Sequence, residues 1–239
     1  MNKHTIAIVL AAGQGKRMNS KVPKQYLMIQ DKPVLYYTLK AFEDSFIDEI
    51  ILVVGEGEED FCQKNFVDKY NFAKVSALVV GGKERYHSVY RALSYITEKG
   101  QTDSFVFIHD GARPFISNDV LQRAYEATRE KGACIVGVPV KDTIKVVGAD
   151  GFVADTPDRA TLWAVQTPQT FSFEKIKSAY DKMLDLEKKG QLDLKVTDDA
   201  MVMETFGELP VCVVEGSYEN IKITTPDDMI LAERILNKE

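Results

Sequence analysis

Cysteine is scarce in this chain. Only Cys62, Cys134 and Cys212 occur, an odd number at wide, irregular spacing that fits neither a disulfide framework nor a zinc cluster. A reducing cytosol suits such a protein, so a cytoplasmic location is expected. Long hydrophobic runs are missing too. The first apolar stretch, Thr5 to Ala12, is far short of a bilayer span and leads into a glycine loop instead of a small-residue cleavage site. No later segment reaches transmembrane length, so no membrane partner is expected. Nor is there an excess of positive charge, because 30 Lys and Arg stand against 36 Asp and Glu, a formal charge of −6. A broad cationic surface for a nucleic-acid backbone is thereby excluded, and any anion site must be local. No repeat, low-complexity tract or linker divides the sequence, so residues 1–239 read as one domain.

Against these absences stands a hydrophobic content of 45%, enough for a sizeable core. Apolar runs that read as strands covered on both faces are Thr5 to Leu10, Glu49 to Val54, Val75 to Val80, Ser104 to Ile108, Ala133 to Val138 and Pro210 to Val214. Between them, Val34 to Phe46, Glu59 to Tyr70, Glu84 to Ile96, Asn118 to Lys131 and Phe173 to Lys189 carry apolar residues at helical spacing. Thr225, Pro226 and Asp228 supply an N-cap, a first-turn proline and a capping-box acid for a last helix running to about Leu236. The alternation predicts an α/β fold with a largely parallel sheet.

One stretch breaks it. Thr143 to Val147 and Phe152 to Ala154 are short extended runs joined by Gly148-Ala149-Asp150-Gly151, a hairpin signal. A lone hairpin is barely stable in water, so this arm, spanning about 139–161, is expected to pack on a second subunit.

The first strand empties into Ala11-Ala12-Gly13-Gln14-Gly15-Lys16-Arg17-Met18, a turn whose backbone N–H groups can approach phosphate oxygens closely. It is a poor dinucleotide fingerprint: Met18 replaces the third glycine, and Glu56 lies too far downstream to be the ribose acid. No Gly-Lys-Ser/Thr triplet follows, which excludes a Walker A loop. Lys16, Arg17, Lys21 and Lys24 crowd the loop, which leaves two readings open, a triphosphate cradle or a solvated basic loop. Gly81-Gly82-Lys83-Glu84-Arg85 with Ser88, and Asp110-Gly111-Ala112-Arg113-Pro114, follow further strands, where ligands of open α/β sheets collect. The first is equally an ordinary turn; Asp110 with Arg113 could be a local ion pair, but their place after an apolar strand favours a polar site role. Asp142-Thr143, Asp158-Arg159 and Thr167-Pro168-Gln169 lie in and after the hairpin. Lys222 sits in an Ile-Lys-Ile run that also reads as an edge strand with a solvated lysine.

Taken together and in order, these segments resemble the 2-C-methyl-D-erythritol 4-phosphate cytidylyltransferase family. The marks are Leu-Ala-Ala-Gly-x-Gly-x-Arg-Met, Pro23-Lys24-Gln25-Tyr26-Leu27, Gly81-Gly82-x-x-Arg85, His109-Asp110-Gly111-Ala112-Arg113-Pro114, Gln166-Thr167-Pro168-Gln169, Thr197-Asp198-Asp199-Ala200 and Asn220-Ile221-Lys222. The resemblance implies one Rossmann-like nucleotidyltransferase domain: a mixed, mostly parallel sheet flanked by helices, with a protruding β-hairpin arm that makes a homodimer. It implies that Ala11, Ala12, Gly13, Gln14, Gly15, Lys16, Gly82, Lys83 and Ser88 hold CTP. Arg17, Lys24, Arg159 and Lys222 would be the catalytic cations, with Asp110, Arg113, Thr143 and Thr167 at the acceptor. Thr143 and Arg159 would serve the neighbour's site. Magnesium would ride mainly on the CTP phosphates, with no firm protein ligand. The sibling reaction on ribitol 5-phosphate is the nearest alternative; a nicotinamide oxidoreductase or a silent nucleotide-binding protein is the rival from another class. A phosphate nucleophile is already an anion, so the site needs cations more than bases, and only His4, His87 and His109 are present.

Overall fold

The computed structural model describes residues 3–13 and 22–237. The chain opens with β1 (His4–Leu10), a ribbon of β2 (Met28–Ile29) and β3 (Lys32–Pro33), α1 (Val34–Glu43), β4 (Glu49–Val54), α2 (Glu59–Cys62) and β5 (Val75–Val80). It continues through α3 (Arg85–Glu98), β6 (Ser104–Asp110), α4 (Asn118–Lys131) and β7 (Ala133–Pro139) to a hairpin of β8 (Val146–Val147) and β9 (Val153–Asp155). Then come β10 (Trp163–Ser172), α5 (Phe173–Lys188), α6 (Asp199–Phe206), β11 (Cys212–Glu215) and α7 (Pro226–Leu236).

Seven strands form one sheet in the order β11-β7-β10-β6-β1-β4-β5. β1 lies parallel to β4 and β6, β4 to β5 and β7 to β11, whereas β10 runs antiparallel between β6 and β7. The sheet is mixed and mostly parallel, flanked by helices, as the sequence pattern implies. Strand alternation builds a core on each face. Ala7 and Val9 meet Leu35, Leu39 and Phe42 of α1 and Leu121 of α4. Ile6 and Ile8 point the other way, to Val89 and Leu93 of α3 and Tyr180 and Met183 of α5. Each such large side chain contributes roughly 1.5–3 kcal/mol by leaving water, so the centre of the sheet is the rigid part of the molecule.

Helix ends follow their capping residues. α4 starts at Ser117, whose hydroxyl accepts from the Val120 N–H, and stops at Gly132, which takes the left-handed conformation (φ 84°). α7 has the expected box, Thr225 with Asp228 and Pro226 in the first turn. The helical segment expected over 59–70 is present, but it widens to π geometry over Gln63–Asp68.

Three features depart from the sequence pattern. β10 gives no apolar signal and contains Pro168, yet it is a central strand, because its buried Gln166, Thr167, Gln169 and Thr170 all find hydrogen-bond partners. α6 was not expected; Asp198 caps it by accepting from the Met201 N–H. The run Asn220–Thr224 pairs as no strand; Ile223 N instead donates to the Ala112 carbonyl at 2.8 Å, which draws Lys222 towards the end of β6.

Candidate active site

The carboxyl ends of β1, β4, β5 and β6 surround a cleft of about 1020 Å³. Parallel strands leave such a crevice because every connecting loop at that edge diverges to a helix. Of the residues singled out from the sequence, Ala12, Gly13, Lys24, Gly82, Lys83, Ser88, Asp110 and Lys222 line it. Ala11 lies just behind, with its N–H donating to the Val53 carbonyl at 2.7 Å. Thr167 is buried and Arg113 partly so, and neither lines the wall. Thr143 and Arg159 are exposed on the arm, away from this cleft, and Arg159 Nη1 donates to the Lys141 carbonyl at 2.9 Å. Gln14, Gly15, Lys16 and Arg17 fall outside the described residues.

Asp110, the last residue of β6, is the electrostatic hub. Its Oδ2 lies 2.6 Å from Lys222 Nζ and 3.9 Å from Arg113 Nε, and its Oδ1 lies 3.5 Å from Arg85 Nε. Burial alone would raise the carboxyl, but Arg85, then Lys222 and Arg113, hold it well below the usual carboxylate range. It is therefore an anion at any working pH. Behind it, Arg85 makes a bidentate pair with Asp199 (2.9 and 2.7 Å), and Tyr180 donates to the same carboxylate at 2.6 Å. Burial opposes the Arg85 charge, yet Asp199 and Asp110 raise its pKa above the ordinary value.

The backbone of Asp110 is fixed as well. Its N–H donates to Thr167 Oγ1 at 3.1 Å, and that hydroxyl contacts His109 Nδ1, also at 3.1 Å. Asn220 donates to the Thr167 carbonyl at 2.9 Å and accepts on its own carbonyl from Arg113 Nη1 at 2.8 Å. β10 and the segment before Lys222 are thus tied to the end of β6 by buried amides.

The opposite wall is the Gly81–Gly82 turn entering α3. Gly81 N–H donates to the Val54 carbonyl at 2.7 Å and Gly82 N–H to Ser88 Oγ at 3.0 Å. A Cβ at Gly81 would stand 2.4 Å from that of Ala12, so only glycine lets this turn approach the first loop. The N-terminus of the 14-residue α3 opens at this wall, beside Lys83, with Glu84 as its capping residue. A cleft rimmed by Lys24, Lys83 and Lys222 suits a polyanion.

A family model described as 2-C-methyl-D-erythritol 4-phosphate cytidylyltransferase matches residues 5–238. The chain belongs to this family. A cytidylyltransferase of that name from Lachnoclostridium phytofermentans is 46% identical over 97% of this chain and 96% of its own length. Another, from Alkaliphilus metalliredigens, is 49% identical over 97% and 92% respectively. A solved 4-diphosphocytidyl-2C-methyl-D-erythritol synthase from Anaerococcus prevotii superposes with a TM-score of 0.82 at 35% identity, covering 98% of this chain and 96% of that one. The family resemblance read from the motifs is borne out, and so is the mixed, mostly parallel sheet flanked by helices.

Sequence reasoning gave no roles to several residues in or behind this cleft. Arg85 and Asp199 stand inside quoted motifs, but their pairing spans 114 positions, which no local spacing signals. Tyr180 is hidden among the apolar positions of α5. Arg91 also lines the cleft, donating to the Val80 and Gly81 carbonyls at 3.2 and 3.0 Å. Gln25 and Tyr26 follow Lys24 in the same turn and make inward hydrogen bonds.

Proposed function

We propose that the protein transfers CMP from CTP to 2-C-methyl-D-erythritol 4-phosphate, giving 4-CDP-2-C-methyl-D-erythritol and pyrophosphate in isoprenoid precursor synthesis. The observation that carries this reading is the Asp110–Lys222 pair, 2.6 Å apart, at a cleft whose other walls present Lys24 and the Gly81–Ser88 turn. An oxygen of the acceptor phosphate attacks the α-phosphorus, the bond from that phosphorus to the bridging oxygen breaks, and pyrophosphate leaves with the electron pair. The nucleophile needs no base. What the chain must do is bring two anions together and hold the charge that spreads over the phosphoryl oxygens.

The roles are those that the family resemblance implies, and the cations lining the cleft, Lys24, Lys83 and Lys222, support them. The loop from Ala11 to Lys16, with Gly82, Lys83 and Ser88, holds the nucleotide. Arg17, Lys24, Lys222 and Arg159 supply the positive charge, and Asp110, Arg113, Thr143 and Thr167 shape the acceptor site. Ionised Asp110 keeps Lys222 Nζ directed by a charge-assisted contact, while Arg85 balances the carboxylate from behind. Among the described residues no three His, Cys, Asp or Glu side chains stand together as a metal cage. Magnesium would be carried mainly by the triphosphate and would neutralise part of the nucleotide charge.

The proposal extends to assembly and location. Residues 1–239 form one nucleotidyltransferase domain, and the hairpin over 139–161 is an arm that pairs two copies. Ile144, Val146, Val147, Phe152 and Val153 on it are all exposed, Phe152 to 74%, and an exposed apolar strip of that kind favours a protein partner. A cytoplasmic location is proposed on the three widely spaced cysteines; no helix among the described residues is long and apolar enough to cross a membrane.

The test is pyrophosphate release from CTP and magnesium, with methylerythritol phosphate and ribitol 5-phosphate compared side by side. Release with the first acceptor at much the higher kcat/KM is expected. Preference for ribitol 5-phosphate would reassign the acceptor, and no release with either would overturn the reading.

A further inference from the structure

Lys24 occupies a single 3-10 turn, Lys24–Tyr26, which alone is too short to hold a long side chain in one place. The turn is pinned from both sides. Gln25 is 2% exposed, and its Nε2 donates to the Ala11 carbonyl at 2.5 Å; Ala11 is itself bound through its N–H to β4. On the other side the Tyr26 hydroxyl donates to Glu58 Oε2 at 2.8 Å, while its ring packs on Phe61 and Phe66 at centroid distances of 5.3 and 5.4 Å. Glu58 Oε2 also accepts from the Gly55 N–H at 3.1 Å.

Each brace answers a physical problem. A buried amide costs free energy unless it is paired, so Gln25 with one short bond fixes the turn against the base of the glycine loop. Glu58 is a carboxylate on the wall of a cleft for anions, where its charge would repel a triphosphate. The hydroxyl of Tyr26 and the amide of Gly55 both bind one of its oxygens and tie that carboxylate to the β4 end.

We infer that Gln25 and Tyr26 are the positioning residues of Lys24, setting where its ammonium meets the nucleotide in the transfer step. This rests on the transfer reading above. A preorganised cation loses its value quickly when displaced, on the order of 10²-fold in rate for about 1 Å. Loss of either brace therefore acts on kcat more than on the binding of substrates, which the remaining walls still hold.

The experiment compares steady-state pyrophosphate release from CTP and methylerythritol phosphate by the wild-type protein, Gln25→Met and Tyr26→Phe. Methionine keeps the length of glutamine without a donor, and phenylalanine keeps the ring contacts without the hydroxyl. Gln25→Met is expected to lower kcat by about 10- to 100-fold and Tyr26→Phe by a smaller factor, with both KM values within roughly threefold of wild type. Gln25→Met leaves the Ala11 carbonyl unpaired and is expected to lower the melting temperature by several degrees while staying folded, and Tyr26→Phe by less. Unchanged kcat in both variants, or a fall that appears only as a raised KM or a lower melting temperature, overturns the inference. If Gln25→Met does not fold, Tyr26→Phe decides alone. A wild-type protein that releases no pyrophosphate defeats the transfer reading instead, so the two failures are told apart.

Discussion

His109 is fully buried at the end of β6, with both ring nitrogens engaged. Nε2 lies 3.0 Å from the Arg113 carbonyl, which can only accept, so this nitrogen carries the proton; Nδ1 is then the acceptor for Thr167 Oγ1. Burial drives the pKa of the ring down to about 4, with Arg113 and Lys222 adding to the shift and the Arg113 carbonyl opposing it. The consequence for stability has a definite sign. Above the unfolded-state value of about 6.5 neither state binds a proton here, and the residue adds no pH dependence. As pH falls from there towards 4 the unfolded chain is protonated and the folded one is not, so stability drops, by about 3 kcal/mol over the full interval. Asp110 acts in a lower window, because its depressed carboxyl adds stability above the unfolded aspartate value of about 3.9 and loses it below. Urea midpoints at pH 7 and pH 5 therefore fall in the wild-type protein and fall less in His109→Gln, whatever the variant's stability at pH 7. Parallel curves would show that His109 does not titrate as its burial requires.

Among the elements, α6 is seated by the buried Val202 and Met203 and, at its first turn, by a polar contact. Asp199 in its first turn is wholly buried, gripped by Arg85 from the start of α3 and by Tyr180 from α5. Removing one member of a buried pair strands the other charge, which costs about 3–5 kcal/mol, and the lower end applies because the Arg85 side chain keeps 30% exposure. Asp199→Ala should thus lose about 3 kcal/mol in urea unfolding, and Asp199→Asn, which keeps the shape and one acceptor, less. Equal stability in all three would remove the pair from the forces that seat α6. The same network explains what was legible in the sequence. β1, β4, β5 and β6 announce themselves because each carries an unbroken apolar run, 6–10, 50–54, 77–80 and 105–108 respectively. β10 is silent because Gln166, Thr167 and Gln169 are satisfied by partners far along the chain, and such satisfaction leaves no periodic trace. Lys222 was ambiguous for a related reason: an Ile-Lys-Ile run looks the same whether the lysine meets water or, as here, Asp110 at 2.6 Å. Glycines were legible where sterics demanded them, as at Gly81, while Gln25 passed as an ordinary polar residue beside a lysine.

At the scale of the whole molecule, the cleft and the arm pose one question together. Lys24 lines the cleft, whereas Arg159 and Thr143 are exposed on the segment that carries the hairpin, away from that wall. A residue of the arm reaches a cleft either in its own copy, by movement of the arm, or in a second copy. The exposed strip from Ile144 to Val153 favours the second route, since burying it between two copies removes apolar surface from water. The two routes differ in a mixed assembly of Lys24→Ala and Arg159→Ala chains, each inactive alone. If the arm serves the neighbour, each hetero-dimer has one damaged site carrying both lesions and one intact site, built from the wild-type cleft of the Arg159→Ala chain and the wild-type arm of the Lys24→Ala chain. Random pairing makes half the dimers mixed, so roughly a quarter of wild-type pyrophosphate release returns. If the arm serves its own cleft, every site keeps one lesion and nothing returns. Verified mixed dimers without recovered activity would therefore place Arg159 with its own chain, and a recovery near a quarter would make the active site a property of the pair.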